Sequence, residues 1–240
     1  GNCSLAMAPA HREDREMLAG VLSHVEAIPL GAIQAGVNWS WETIPEYLNA
    51  LDQRLGINVA ALIGHSAVRR YVMGEASQER HATDDEVAAM KTIVREGLEA
   101  GAVGVSFERN LRHFDWNGRL APTNLASEEE IFAVASVADE VGRGVIQFGG
   151  DRSISTKLAK ASRRPVFYGN TTQQAVAPDK WRKQVVEAER LMRQGHRGYQ
   201  FVMPRPGDLP YTLRTAQHSD AMATWKNVML LPHDLRTQAF

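Results

Sequence analysis

Cysteine is almost absent from this sequence: Cys3 is the only one in 240 residues. A lone thiol excludes an intrachain disulfide framework and any CxxC zinc module, and it points to a reducing, cytoplasmic setting. Long apolar runs are missing too. None approaches the roughly 18 residues of a membrane span, and no charged leader precedes an apolar segment, so no membrane partner is expected. Neither sign of charge is in excess. Lys and Arg number 27 against 28 Asp and Glu, a formal net charge of -1, which argues against a nucleic-acid partner that would need a basic surface. Short signatures are equally scarce. No GxGxxG joins a strand to a helix, no GxxxxGK[ST] occurs, and the eight histidines form no HxH, HxxxH or HExxH pair. Any metal site therefore has to be assembled from distant segments. Internal repeats of solenoid period and low-complexity stretches are absent as well.

What is present is the composition of a folded domain, 44% hydrophobic and 23% charged, in a chain long enough to bury a sizeable core. Apolar runs alternate with helical patterns. The run Ile57 to Ile63 is short, β-branched and closed by Gly64, the pattern of a strand buried on both faces. Thr83 and Glu86 have capping-box spacing ahead of Val87, Met90, Val94 and Leu98, a helical period that stops at Gly101. Ala102 to Phe107 reads as the next strand, and Ser127 with Glu130 opens a second capped helix ending near Gly142. Val145 to Phe148, closed by Gly149-Gly150, and Pro165 to Tyr168 predict two more strands around a basic amphipathic segment. A helix follows Pro178 as far as Gly195, and Tyr199 to Met203 predicts a fifth strand. Strands separated by helices predict parallel βαβ units, in an open doubly wound sheet or a closed barrel; periodicity does not choose between them. The abrupt start at Gly1 and the helix-like stretch interrupted at Phe240 suggest a fragment.

In parallel β/α proteins, reactive groups gather where strands end. That rule selects Cys3, His65, Ser106 to Arg109, Gln147 to Asp151, Tyr168 to Thr171 and Met203 to Arg205. Cys3, in GNCSLAMAP, admits three readings: a thiolate metal ligand, a nucleophile, or an inert buried residue. His65, in GHSAVRRYVMG, follows a strand and suits either a ligand or a hydrogen-bonded structural role. Arg109 and His113, in SFERNLRHF, are placed to clamp a substrate carboxylate, with a loop salt bridge as the alternative. Trp39 and Trp41 flank Ser40 and read as a loop packed onto the domain or as an apolar pocket wall.

These blocks, taken in order, resemble the D-aminoacylase (N-acyl-D-amino-acid deacylase) branch of the amidohydrolase superfamily. The resemblance runs through GNCSLAMAP, VNWSWETIPEYLNALDQR, GHSAVRRYVMGE, EAGAVGVSFERNLRHFDWNGRLAPT and VGRGVIQ, and more faintly through PDKWR and FVMPRP. It implies an α/β fold, a TIM-like (β/α) barrel that is incomplete here, with the first and last catalytic strands and the β-sandwich domain falling outside residues 1–240. It implies zinc at the barrel mouth, with Cys3 as a ligand and a catalytic aspartate beyond the chain. Substrate orientation is then expected from His65, Arg109 and His113. The implied reaction is hydrolysis of a linear N-acyl amino acid. A cyclic amidase of the same superfamily, or a barrel that binds without catalysing, are the alternatives. The sequence departs from the family at IQFGGD and FYGNTTQ, where well-studied members carry metal-binding histidines and this chain has none.

Overall fold

The computed structural model describes residues 3–26, 28–53, 55–115, 117–171, 173, 177–202, 222–229 and 231–239. Helices α1 (Arg15–Glu26), α2 (Leu30–Gly36) and α3 (Ile44–Leu51) precede the sheet. Then come β1 (Leu62–Gly64), α4 (His65–Met73), α5 (Asp84–Glu99), β2 (Gly104–Glu108), α6 (Glu128–Val141) and β3 (Val145–Gly149). They are followed by α7 (Arg152–Ala161), β4 (Val166–Thr171), α8 (Lys180–Arg193), β5 (Gly198–Val202), α9 (Ala223–Met229) and α10 (His233–Ala239).

Among the described residues the strands of the sheet pair in parallel, in the order β1-β2-β3-β4-β5. The order decides what periodicity left open. A doubly wound sheet reverses direction at a switch point and carries helices on both faces, whereas a sheet that steps always to the next strand keeps its helices on one side. Here Val105, Phe107, Ile146, Phe148, Val166 and Tyr168 share one core with Met90, Val94 and Leu98 of α5, Ile131 and Val134 of α6, Ile154 and Leu158 of α7, and Leu191 of α8. Because side chains alternate along a strand, the other face carries Ser106, Glu108, Gln147, Gly149, Phe167 and Tyr199. The sheet is an arc of a TIM-like (β/α) barrel, with helices outside and polar strand ends facing inward.

Local chemistry accounts for the outer layer. Thr83 and Thr43 close capping boxes with Glu86 and Glu46 at the starts of α5 and α3. The apolar stripe of α5 is wholly buried at Met90, Val94 and Leu98, each such side chain stabilising the fold by about 1.5–3 kcal/mol relative to exposure. Ser127 caps α6 through the Glu130 amide, and Gly142 ends that helix in the left-handed conformation.

One expected strand is shorter than its sequence pattern. Of Ile57 to Ile63, only the end belongs to β1, and Ile57 is 77% exposed. The ladder with β2 begins where Leu62 meets Gly104, preceded by one bond from the Val103 amide to the Ala61 carbonyl at 2.9 Å, so among the described residues Ile57 to Ala60 pair with no strand that would bury them. The expected Met203 end of β5 lies outside the described residues. Trp41 is buried, donates from its indole to the Met7 carbonyl at 2.8 Å and packs edge-on to Tyr47, so this tryptophan joins the loop to the domain.

Candidate metal centre

At the carboxyl ends of β2, β3 and β4 lies a cavity of about 490 Å³, lined by residues including Cys3, Glu108, Arg109, Gln147, Gly149 and Tyr168. Its most reactive corner is built by the turn after β2. Asn110 donates its side-chain amide to Glu108 Oε1 at 3.1 Å, and the same nitrogen lies 3.1 Å from His113 Nε2. The Asn110 Oδ1 accepts from the Arg112 amide at 3.0 Å, which fixes the turn that folds His113 back toward the strand. Cys3 arrives from the segment before α1. Its sulfur, a Glu108 oxygen and a His113 nitrogen all lie within 4.8 Å of one another.

Two glycines make room for this corner. Glu108 and Gly149 are register partners across β2 and β3. A Cβ at position 149 would stand 2.1 Å from Glu108 Oε2, so the carboxylate occupies the space that any side chain there would fill. Gly150 lies against the Arg109 carbonyl, where a Cβ would come within 1.7 Å, and its φ of +85° suits glycine.

The electrostatics of the corner suit a cation. Burial pushes the Cys3 thiol up to about 12, with the nearby Glu108 and Glu26 carboxylates adding to the shift. Burial also raises the Glu108 carboxyl, an effect the Asn110 hydrogen bond only partly opposes. Two acids that resist ionisation side by side are those a divalent cation would ionise. Sulfur, imidazole nitrogen and carboxylate oxygen are also the donor types of zinc sites, so the residues fit the group that the family resemblance implies.

The expected site residues fall in three places. Cys3 and His113 come together with Glu108, which lay within the strand-end stretch Ser106 to Arg109 but had been given no role of its own. Its only signal was its position as the last residue of a strand. Arg109 lines the cavity, donates to the Ala126 carbonyl and keeps a buried Nε with no hydrogen-bond partner. His65 lies elsewhere: it does not line the cavity and is 0% exposed. Its Nδ1 is 3.0 Å from the Thr123 hydroxyl and its Nε2 is 3.2 Å from Glu130, which also receives Arg69 Nε at 2.8 Å. Burial pulls the His65 pKa below its ordinary value, leaving a neutral imidazole in the core. Asp151 caps α7 through the Ser153 and Ile154 amides. The stretch from Met203 to Arg205 lies outside the described residues.

A profile of the Amidohydrolase family matches residues 10–228. The chain belongs to the amidohydrolase family. It is 33% identical over 108 residues to a D-aminoacylase of Alcaligenes xylosoxydans xylosoxydans, covering 44% of this chain and 19% of that protein. It is 27% identical over 239 residues to an N-acyl-D-glutamate deacylase of the same organism, covering 94% of this chain and 44% of the relative. Among solved structures, the N-acyl-D-glutamate deacylase of Bordetella bronchiseptica, in complex with zinc and a phosphonate inhibitor, superposes with a TM-score of 0.64 at 26% identity. That match covers 86% of this chain and 41% of the other. This amidohydrolase chain thus spans less than half the length of each of these relatives.

Proposed function

We propose that the protein is a zinc-dependent amidohydrolase acting on an N-acyl-D-amino acid, with Cys3, Glu108 and His113 as metal ligands and Arg109 as the clamp for the substrate α-carboxylate. The observation that carries this reading is the convergence of three donor side chains at the strand ends of an amidohydrolase sheet. The names of the D-aminoacylase and deacylase relatives support the substrate, and the zinc in the solved neighbour supports the metal. Zinc, when bound, supplies Lewis acidity toward the amide carbonyl and lowers the pKa of a water. The remaining work falls to the chain. Asn110 holds Glu108 in place through its amide and stands beside His113, the kind of supporting contact that keeps ligands oriented. Arg109 presents a guanidinium fork to the carboxylate. Gln147, 1% exposed, lines the cavity with an unpartnered Oε1 and accepts the substrate amide N–H. Hydrolysis then adds water across the C–N bond, the hydroxyl going to the acyl carbon and a proton to the departing amine.

No helix among the described residues is long and apolar enough to cross a membrane, and the single cysteine fits a reducing, cytoplasmic setting. The test is turnover of N-acetyl-D-amino acids by the protein expressed from its complete coding sequence, alongside metal analysis. Activity lost to a chelator and restored by zinc is expected, with zinc content reduced in Cys3→Ala and His113→Ala. Chelator-insensitive turnover, or the same zinc content in both variants as in the parent, would refute the reading.

A further inference from the structure

Cys3 and His113 reach the metal corner from segments far apart in the chain, and both segments are tied to one buried cluster of hydroxyls. The cluster is a triangle of Ser4, Ser66 and Thr123, none of them more than 2% exposed. Ser4 follows Cys3 directly, Ser66 is the second residue of α4, and Thr123 sits in a 3-10 turn, Pro122–Leu125. Ser66 Oγ stands 2.9 Å from Ser4 Oγ and 2.8 Å from Thr123 Oγ1, and the Thr123 hydroxyl donates to Ser4 Oγ at 3.2 Å. The Thr123 amide donates to Ser66 Oγ at 3.2 Å, and His65 Nδ1 lies 3.0 Å from Thr123 Oγ1. A hydroxyl has one proton to give and two lone pairs, so three partners fill it. The Ser66 and Thr123 hydroxyls each have three. Removing either would strand other buried polar atoms.

The triangle also fixes the backbone on both sides of it. The Ser66 amide donates to the Ser4 carbonyl at 3.1 Å. That carbonyl lies against Gly64, where a Cβ would come within 2.5 Å of it, so the Cys3 segment is seated on the end of β1. Ser4 itself has a φ of +59°, a conformation that favours glycine, and the use made of its hydroxyl accounts for a serine there. On the other side, the Ala121 amide donates to the His113 carbonyl at 2.9 Å and Phe114 bridges Leu120, so the loop bearing His113 closes two residues before Thr123. Leu5 packs with Met17, Leu18 and Val21 and holds the same segment down. Apolar contact is non-directional, however, and hydrogen bonds are what set the direction in which Cys3 leaves the backbone.

We propose that Thr123, with Ser4 and Ser66, is a positioning residue for the metal corner, its hydroxyl holding the segment that bears Cys3 in register with the loop that bears His113. The consequence for metal binding rests on the hydrolase reading above, whereas the seating of Cys3 is a property of the metal-free chain. None of the three hydroxyls lines the strand-end cavity, so their effect on the site passes through Cys3 and His113.

The experiment makes two measurements on the protein from its complete coding sequence: the rate at which a neutral alkylating reagent modifies Cys3 in the metal-free state, and the affinity for cobalt(II) with the thiolate-to-cobalt absorption band. Thr123→Val removes the hydroxyl and nearly keeps the shape. Ser4→Gly removes a second hydroxyl where the backbone favours glycine, which keeps the test open if Thr123→Val folds poorly. Both variants are expected to speed alkylation and to weaken cobalt binding by about 10–100-fold with a diminished thiolate band, and Thr123→Ser should restore most of the loss. Leu191→Ala, a cavity in the core at α8, should lower the melting temperature and leave both readouts near the parent. Unchanged alkylation in Thr123→Val and Ser4→Gly would overturn the proposal, as would faster alkylation with cobalt affinity unchanged, or the same changes in Leu191→Ala. A parent that shows no cobalt–thiolate band while Thr123→Val still speeds alkylation would reject the metal reading and keep the hydroxyl anchor of Cys3.

Discussion

Replacing Glu130 by alanine should destabilise the fold by about 3–5 kcal/mol, the usual consequence of stripping one partner from a buried ion pair. The magnitude follows from what is left behind. Arg69 is 0% exposed, and its Nε donates to Glu130 Oε1 at 2.8 Å. Its other hydrogen bonds reach carbonyls only: Arg80 at 2.7 Å, Pro122 at 3.4 Å, and Ser77. Those contacts satisfy donors without neutralising charge, so the variant would hold a guanidinium in the core with no carboxylate bonded to it, leaving only the more distant charge of Glu86. The same substitution strips His65 Nε2 of the carboxylate lying 3.2 Å away. At about 2–4 °C per kcal/mol for a chain of this size, the melting temperature should fall by about 6–20 °C. Thermal unfolding followed by circular dichroism measures it directly. The control is Arg69→Met combined with Glu130→Leu, which removes both charges and should melt above either single variant. A Glu130→Ala protein melting within about 2 °C of the parent would show that the carbonyl cage alone stabilises Arg69, and the reasoning would fail.

Two further outcomes are expected. Gly149→Ala places a methyl where Glu108 Oε2 now sits, 2.1 Å from the new carbon, and the displaced carboxylate should lower zinc affinity by about 10–100-fold in competition with a chromophoric chelator; unchanged affinity would remove Glu108 from the ligand set. Stability should also fall on acidification below about pH 6.5, because burial depresses the His65 pKa in the folded state and the unfolded chain therefore takes up that proton first. Burial alone would raise Glu130, but hydrogen bonds from His65 and Arg69 and the Arg69 charge hold its pKa below the ordinary value, so its contribution disappears at still lower pH as the carboxyl protonates. Denaturant midpoints measured across about pH 5–7 should decline less steeply for His65→Gln, and identical slopes would exclude His65 as the cause.

The parts of the fold legible in the sequence are those set by neighbours along the chain. Thr83 and Glu86 marked the start of α5 because both halves of a capping box lie within one turn. Ser127 and Glu130 have the same spacing, and Ser127 does cap α6 through the Glu130 amide. The Glu130 carboxylate, however, turns to Arg69 and His65, which come from α4 and are invisible to any local rule. His65 was singled out for the same reason it misleads. A histidine just after a strand looks like a barrel-mouth residue, but as the first residue of α4 it faces Thr123, Glu130 and the Phe107 ring instead of the cavity. The run from Ile57 shows the converse failure, in which an apolar β-branched pattern lacks a neighbouring strand and stays exposed.

The strand-end stretch Ser106 to Arg109 contained Glu108, but its role was hidden by a relation between strands. Its partner in register is Gly149, and the two project from the same inner face of the sheet. A side chain at either position claims one shared volume: a bare glycine on β3 admits the β2 carboxylate, and any Cβ there would expel it. A barrel mouth requires a donor at a point in space, and adjacent parallel strands can supply that point from either side. The lack of histidine in IQFGGD therefore does not leave the mouth without a side chain able to serve as a ligand on that side. The β2 carboxylate, steadied by Asn110, stands over β3 within reach of Cys3 and His113, and the absence on one strand and the unexpected acid on the next are two halves of a single packing decision.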